Sequence, residues 1–314
     1  MSSANEAQQW LLVRLEGIQN PDSYLTDTIG PFFVTASQTG VSQYNLFRRK
    51  PGPTPSLELL SYSKPELLHS LLIPNLLEHL QVSLDHASTP YRVQFVTFEM
   101  DAATFGGAEA FQTALPSLEF SCRLVLNWLK EKNGRPLSRE TLMLAGRVHT
   151  VFMSKSGLTP REAGRFYQTW LENQLGNHLN PTGSHLQDWL EKEYVTHRDS
   201  IRLFLSDYWA PDGKVLDNQH AYMRHWANLS ELTAQRLRHL NRQGRIQLQS
   251  PAFNDWPVLW HSYHRILQEI NHQIGLGTDA LTALLFWKAN AYREMKWNAP
   301  NIDMPVVQPA LNAS

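Results

Sequence analysis

The chain has 314 residues, of which 42% are hydrophobic and 18% charged, and it carries 10 Trp, 10 Tyr and 13 Phe. Apolar content on that scale fills a core, which excludes a disordered chain. Lys plus Arg is 28 against 29 Asp plus Glu, and no basic stripe stands out, which argues against a nucleic-acid binder led by phosphate contacts. A single cysteine, Cys122, excludes a disulfide framework and a Cys-rich zinc site.

The opening MSSANEAQQW lacks a basic segment followed by an apolar one, and no run of ~18 apolar residues occurs. No secretory signal and no membrane span are expected, and the chain reads as soluble and cytoplasmic. Trp10–Glu16 (WLLVRLE) is a β-prone run ended by Gly17. Pro31–Ala36 (PFFVTA) is either a strand or the end of a short helix begun near Ser23. Tyr44–Arg48 and Leu57–Tyr62 alternate as hairpin partners around the turn KPGPTP at 50–55. Lys64–Ser83 changes to helical spacing, with Pro74 expected to break or kink it. Tyr91–Met100 is the last strand, with Val93, Phe95 and Thr97 on one face.

After Gly106–Gly107 the pattern is helical throughout. Helices are predicted over 108–133, 138–155, 160–175, 185–208, 220–244, 256–274 and 279–295. The third has a start signal, Thr159-Pro160-Arg161-Glu162: a cap, a proline at the first turn and an acid three residues on. The fold class is therefore α+β, an antiparallel sheet built mainly from the N-terminal third packed with a helical C-terminal part. Residues 1–298 read as one domain and 299–314 as a Pro-rich mobile tail.

Thirteen histidines raise the question of a metal. His261/His264 and His69/His79, with Asp85-His86, are the nearest pairs, but no third ligand follows at a fixed spacing, so no metal is expected. Ser154 and Ser156 flank Lys155 without a nucleophile elbow. Cys122, within SLEFSCRLVLNWL, reads as a small buried side chain. Neither Gly106-Gly107 nor Gly275-x-Gly277 matches a phosphate loop, so no cofactor is expected. The basic residues of Arg224–Arg245 read as a solvated helix face, with a peptide or tRNA contact as the alternative.

Four segments together resemble the C-terminal, glutamate-eliminating domain of class I lantibiotic dehydratases and the stand-alone thiopeptide-type bacteriocin biosynthesis proteins. Trp10–Glu16 is similar to the family's opening W-L-Y-V-K-L. Tyr44-Asn45-Leu46-Phe47-Arg48 with Leu57-Glu58-Leu59-Leu60 resembles its W-F-F-I-R … H-L-R-L-R hairpin. Phe98-Glu99-Met100-Asp101-Ala102-Ala103-Thr104-Phe105-Gly106-Gly107 resembles Y-E-P-E-x-E-R-Y-G-G, and Ala108–Leu129, with Ser121, the helix that follows. Without a preceding glutamylation module, the chain resembles a stand-alone copy.

The departures are informative. In glutamate-eliminating members, arginines of the hairpin and of the second motif gather the glutamyl carboxylate; here Glu58, Leu60 and Thr104 stand in their places, with Asp101 at the acid. The late helix HSYHRILQEINHQIGL aligns in two registers. One places Gln268 and His272-Gln273 over the family's histidine and Asn-Arg pair; the other places His264 over the histidine. A kept scaffold with a lost grip resembles the pyridine synthases, which join two dehydroalanines of a precursor peptide in a formal [4+2] cycloaddition and release water and leader. The resemblance implies a maturation enzyme acting on a ribosomal precursor peptide, leader and core, with a separate glutamylating dehydratase as a possible partner. Asp101, Tyr263 and His264 are the candidates for proton handling, and Arg48, Glu99 and Thr104 for substrate binding. The bland alternatives are a hairpin salt bridge of Arg48 with Glu58, a turn cap for Asp101 and Thr104, and helix-surface positions for Tyr263 and His264. Two rival functions stay open: the eliminating half of a split dehydratase, drawing on Arg92, Arg123 or Arg147, and a non-catalytic partner that binds precursor peptide.

Overall fold

The computed structural model describes residues 8–18, 20–50, 55–84, 92–134, 136–176, 183–209, 221–248, 253 and 256–295. Strand β1 (Gln9–Glu16) is rich in Leu and Val and takes a central place. It pairs antiparallel with β3 (Ser56–Ser63) on one side and with β4 (Arg92–Phe98) on the other. β2 (Tyr44–Lys50) pairs with β3 as the predicted hairpin, giving the order β2-β3-β1-β4. Residues 51–54 of its turn and the C-terminal tail lie outside the described residues.

Because side chains alternate across a strand, the register stacks like with like on one face. Tyr44, Tyr62, Trp10 and Phe98 form an aromatic row, Leu46, Leu60, Leu12 and Val96 an aliphatic one, and Arg48, Glu58, Arg14 and Gln94 a polar one. The opposite face meets α1 (residues 21–38), to which Asn45 Nδ2 donates at Ser37 Oγ (3.0 Å) and Arg49 pairs with Asp22.

Pro31–Ala36 is helical, so the strand reading of that segment is set aside. Helix α1 runs as Pro21–Tyr24, a π turn Leu25–Ile29, and Gly30–Gln38. Helix α2 (residues 65–84) repeats the device: Pro65–Leu67, a π turn Leu68–Leu72, and Ile73–Leu84. In each, the residue before a proline bonds five residues back, Gly30 N–H to Leu25 O and Ile73 N–H to Leu68 O. The widened turn takes in the proline, which lacks an N–H and would crowd a normal turn. Pro74 therefore widens its helix rather than breaking it.

Beyond β4, a 3-10 turn (Ala102–Phe105) leads through Gly106 to α3 (Ala108–Glu131). Gly106 has φ +101°, and a Cβ there would overlap Ile246 Cγ2 and lie 3.2 Å from Ser262 Oγ, so only glycine fits. Cys122 of α3 accepts the Phe47 N–H (Sγ at 3.4 Å) and covers the free edge of β2; burial pushes its thiol pKa up, in keeping with a structural role. The remaining helices are α4 (Ser138–Lys155), α5 (Pro160–Gly176), α6 (Gly183–Trp209), α7 (Ala221–Arg242), α8 (Val258–Ile274) and α9 (Thr278–Glu294). The predicted start of α5 is a reciprocal cap: Thr159 N–H donates to Glu162 Oε2 (2.7 Å) and Glu162 N–H to Thr159 Oγ1 (3.2 Å). Helix α8 has twelve of its 17 residues buried, which makes it the axis around which sheet and helices pack. Among the described residues no helix is long and apolar enough to cross a membrane.

Candidate functional site

The polar row of the sheet continues into α8. Glu58 is 2% exposed and accepts from Lys50 Nζ (2.6 Å) and Arg14 Nη2 (2.9 Å), with Arg48 Nη1 at 3.8 Å. Arg48 then reaches past the hairpin, and its Nε donates to Glu269 Oε2 at 2.7 Å. Arg265, one turn earlier on α8, holds the other oxygen of Glu269 at 2.7 Å. Four cations thus surround two buried carboxylates, a formal excess of two positive charges. Burial resists ionisation of Glu58, but hydrogen bonds from Lys50 and Arg14 and the charges of Lys50 and Arg48 outweigh it, and its pKa lies below the ordinary value.

The segment after β4 roofs this cluster. The Arg48 guanidinium lies 5.7 Å from the Phe98 ring centre and its Nη2 3.6 Å from Met100 Sδ. The Arg265 guanidinium lies 5.4 Å from the Phe105 ring centre. Ser262, on the same face of α8, donates to Phe105 O at 2.6 Å. His272, one turn beyond Glu269, is half-buried; burial lowers its pKa, Glu269 opposes that, and Arg48, Arg265 and Lys50 reinforce it.

The residues singled out from sequence divide into two groups. Arg48 is in the cluster, and its bridge to Glu58 is real but secondary to the one with Glu269. Glu99 and Asp101 are exposed on the roof segment. The Asp101 carboxylate accepts from Ala103 N–H (3.2 Å), and Thr104 Oγ1 donates to Asp101 O (2.8 Å), so both also cap the turn. Tyr263 and His264 point elsewhere, and neither is a helix-surface residue. Tyr263 is fully buried and donates to Ser156 O at 2.9 Å. His264 sits in an aromatic box, 4.5 Å from Trp170, 4.9 Å from Phe253 and 5.6 Å from Trp256, centre to centre. Burial, with Arg265 and His261 adding to it, lowers its pKa to about 3.

Arg14, Lys50, Arg265 and Glu269 were missed in the sequence. Only Arg14 and Lys50 had a signal, since the strand register carries them onto the same face as Arg48. Arg123 pairs with Glu119 on an exposed face, and Arg92 is exposed at the start of β4. The sequence implies a lost cationic grip, but guanidinium groups of Arg14, Arg48 and Arg265 remain beneath the segment that leads to Gly106, paired with the internal carboxylates Glu58 and Glu269. The basic helix α7 is not solvated throughout, because Arg238 donates to Ser156 O. On another face of the same C-terminal part of α7 a cleft of about 570 Å³ opens between Glu109, Gln112, Arg236 and His239. Among the described residues no three His, Cys, Asp or Glu side chains are grouped to hold a metal.

An antiparallel four-stranded sheet whose charged row is closed by a buried central helix is the architecture in which these residues sit. The family model for the lantibiotic biosynthesis dehydratase C-terminal domain matches residues 10–274, and the chain belongs to that family. Among solved structures, TsrL is similar with a TM-score of 0.68 at 17% identity, covering 92% of this chain and 95% of TsrL. TbtD, the pyridine synthase from thiomuracin biosynthesis, gives 0.65 at 14% identity, covering 90% of this chain and 97% of TbtD. MibB, the tRNA-dependent lantibiotic dehydratase from Microbispora sp. 107891, gives 0.62 at 14% identity, covering 93% of this chain but 28% of MibB. No curated protein sequence matches the chain.

Proposed function

We propose that the protein matures a ribosomally made precursor peptide by a formal [4+2] cycloaddition of two dehydroalanines, with loss of water and leader peptide. The observation that supports this reading is the occupancy of the cationic cluster: Arg14, Arg48 and Arg265 already pair with the internal carboxylates Glu58 and Glu269. A neutral, dehydrated peptide makes no demand on those groups. What such a reaction needs is two arms held in near-attack geometry, worth ~7–11 kcal/mol of barrier, and protons moved at the amide and at the two leaving groups.

Asp101, exposed beside the roofed cluster, is the proposed proton carrier, with Glu99 and Thr104 as the polar groups that orient the peptide and Arg48 holding the hairpin to α8 beneath them. Tyr263 and His264 are enclosed, and their part in this scheme is to hold α8 in place. One observation favours a second reading, the eliminating half of a split dehydratase: four cations for two carboxylates leave attraction for a further anion. Incubation with a dehydrated, azole-bearing precursor separates these readings by mass. Loss of leader and water supports cycloaddition. Loss of glutamate from a glutamylated peptide supports elimination, with a separate glutamylating dehydratase as partner. Tight binding without mass change supports a non-catalytic role.

A further inference from the structure

We propose that the outer edge of β4 is a peptide-binding site, which takes an extended, unmodified segment of the precursor peptide as a fifth strand and leads it to the roof. The inference deepens the function proposed above and rests on it for the nature of the peptide.

One edge of the sheet is closed and the other is open. On the outer side of β2, the Phe47 N–H turns away from β3 and donates to Cys122 Sγ. That contact fixes the backbone direction across the sheet, because the two residues of an antiparallel pair either face each other or both face away. Leu59, across from Phe47, turns towards β1, and Val13, across from Leu59, turns back to meet it. Phe95, across from Val13, therefore turns outward. By alternation the N–H and C=O groups of Val93, Phe95 and Thr97 all lie on the outer edge of β4, which has no strand partner among the described residues. Backbone donors and acceptors repeating about every 7 Å match another extended chain.

Sheet edges are commonly blunted by lysine, proline or a bulge. Arg92–Phe98 (RVQFVTF) has no lysine or proline, and its register against β1 is unbroken. Its one charge, Arg92, stands at the end farthest from the roof. Phe95 and Val96 lie on opposite faces and are each 39% exposed, so an added strand gains apolar contact on both sides. Glu99 and Asp101 follow directly on Phe98, so a chain laid on this edge passes the proposed proton carrier. The paired segment keeps its amides, since an azole ring has no N–H to donate.

The probe is an acetylated, amidated peptide of about eight residues, alternating Thr and Val between terminal Glu residues, because backbone pairing tolerates any strand-forming sequence. Saturable binding to the wild type is expected, with slowed amide hydrogen exchange within Arg92–Phe98. Proline at an outward-facing edge position leaves the ladder to β1 intact. F95P is therefore expected to fold and to weaken binding at least about tenfold, whereas F95A, which keeps the N–H, stays within about threefold. The same peptide N-methylated at every residue is expected not to bind the wild type, a test that holds even if F95P fails to fold. No saturable binding, equal binding by F95P and F95A, or protection confined to other segments overturns the proposal. So does a dimer that F95P abolishes while the peptide goes unbound, which would give the edge to a second copy of the chain. The probe undergoes no reaction, so a failed cycloaddition assay and a failed edge site are separate results.

Discussion

Arg48 Nε lies 2.7 Å from Glu269 Oε2, a bond between residues 221 positions apart that fastens the hairpin to α8. Both side chains are nearly enclosed, at 12% and 5% exposed, so the pair is not screened as a surface bridge would be. Arg48→Met is expected to lower stability by about 2 kcal/mol, the loss of a charge-assisted hydrogen bond to Glu269, which keeps Arg265 as its partner. R48M/E269Q should recover part of that loss. Denaturant titration of both variants checks the coupling.

Two of the enclosed imidazoles, His149 and His264, make the fold acid-sensitive. Burial, with Lys288 adding to it, lowers His149 to about 3 despite its bond to Asn271, and His264 also lies at about 3. The unfolded chain takes up these protons near 6.5, before the folded one can, so stability is lost as pH falls from 6.5 towards 3, by up to about 1.4 kcal/mol per unit for each site. Glu58 adds a further loss below 4.5, since its folded pKa is the lower one. His264→Phe should flatten the urea midpoint over the upper part of that range.

Lys288 behaves in the alkaline range. It is 3% exposed, donates to Gly146 O (3.0 Å) and to Thr150 Oγ1, and sits over the Tyr167 ring. Burial lowers its pKa from 10.5 to about 7. Between those values the unfolded chain binds the extra proton, so stability rises with pH from about 7 to 10.5. Lys288→Met is expected to be more stable at pH 7 and to lose the slope, which thermal melts across that range would show.

Gly106 joins the roof to α3 where no side chain fits. Gly106→Ala combines a φ of +101° with overlap on Ile246, and is expected to cost about 2 kcal/mol. The double variant G106A/I246A should recover the overlap but keep the dihedral strain. Melting temperatures of the two separate these contributions.

Asp101→Asn tests the roof as a site of chemistry. Asparagine caps a turn as well as aspartate does, so the melting temperature should hold while product formation drops about 10²-fold. Tyr263→Phe should show the reverse, losing about 1 kcal/mol with its bond to Ser156 O and keeping the rate. Equal effects of both variants on rate and stability would contradict these separate roles.

The sequence by itself determined the hairpin, the strand at Trp10–Glu16, and helix limits such as Ser138–Lys155, because alternation, capping pairs and glycine stops act through neighbours a few residues apart. It also pointed to Arg48. Tertiary structure alone decided that Pro31–Ala36 is helical, that Pro74 widens its helix, and that Tyr263 and His264 are enclosed: an axial helix is buried nearly all round, so its polar residues carry no sign of which side meets solvent. It decided the charge cluster as well. Arg14, Lys50, Arg265 and Glu269 come together only when strand register and the docking of α8 are set, and Coulomb attraction over a few ångströms leaves no periodic mark on the chain.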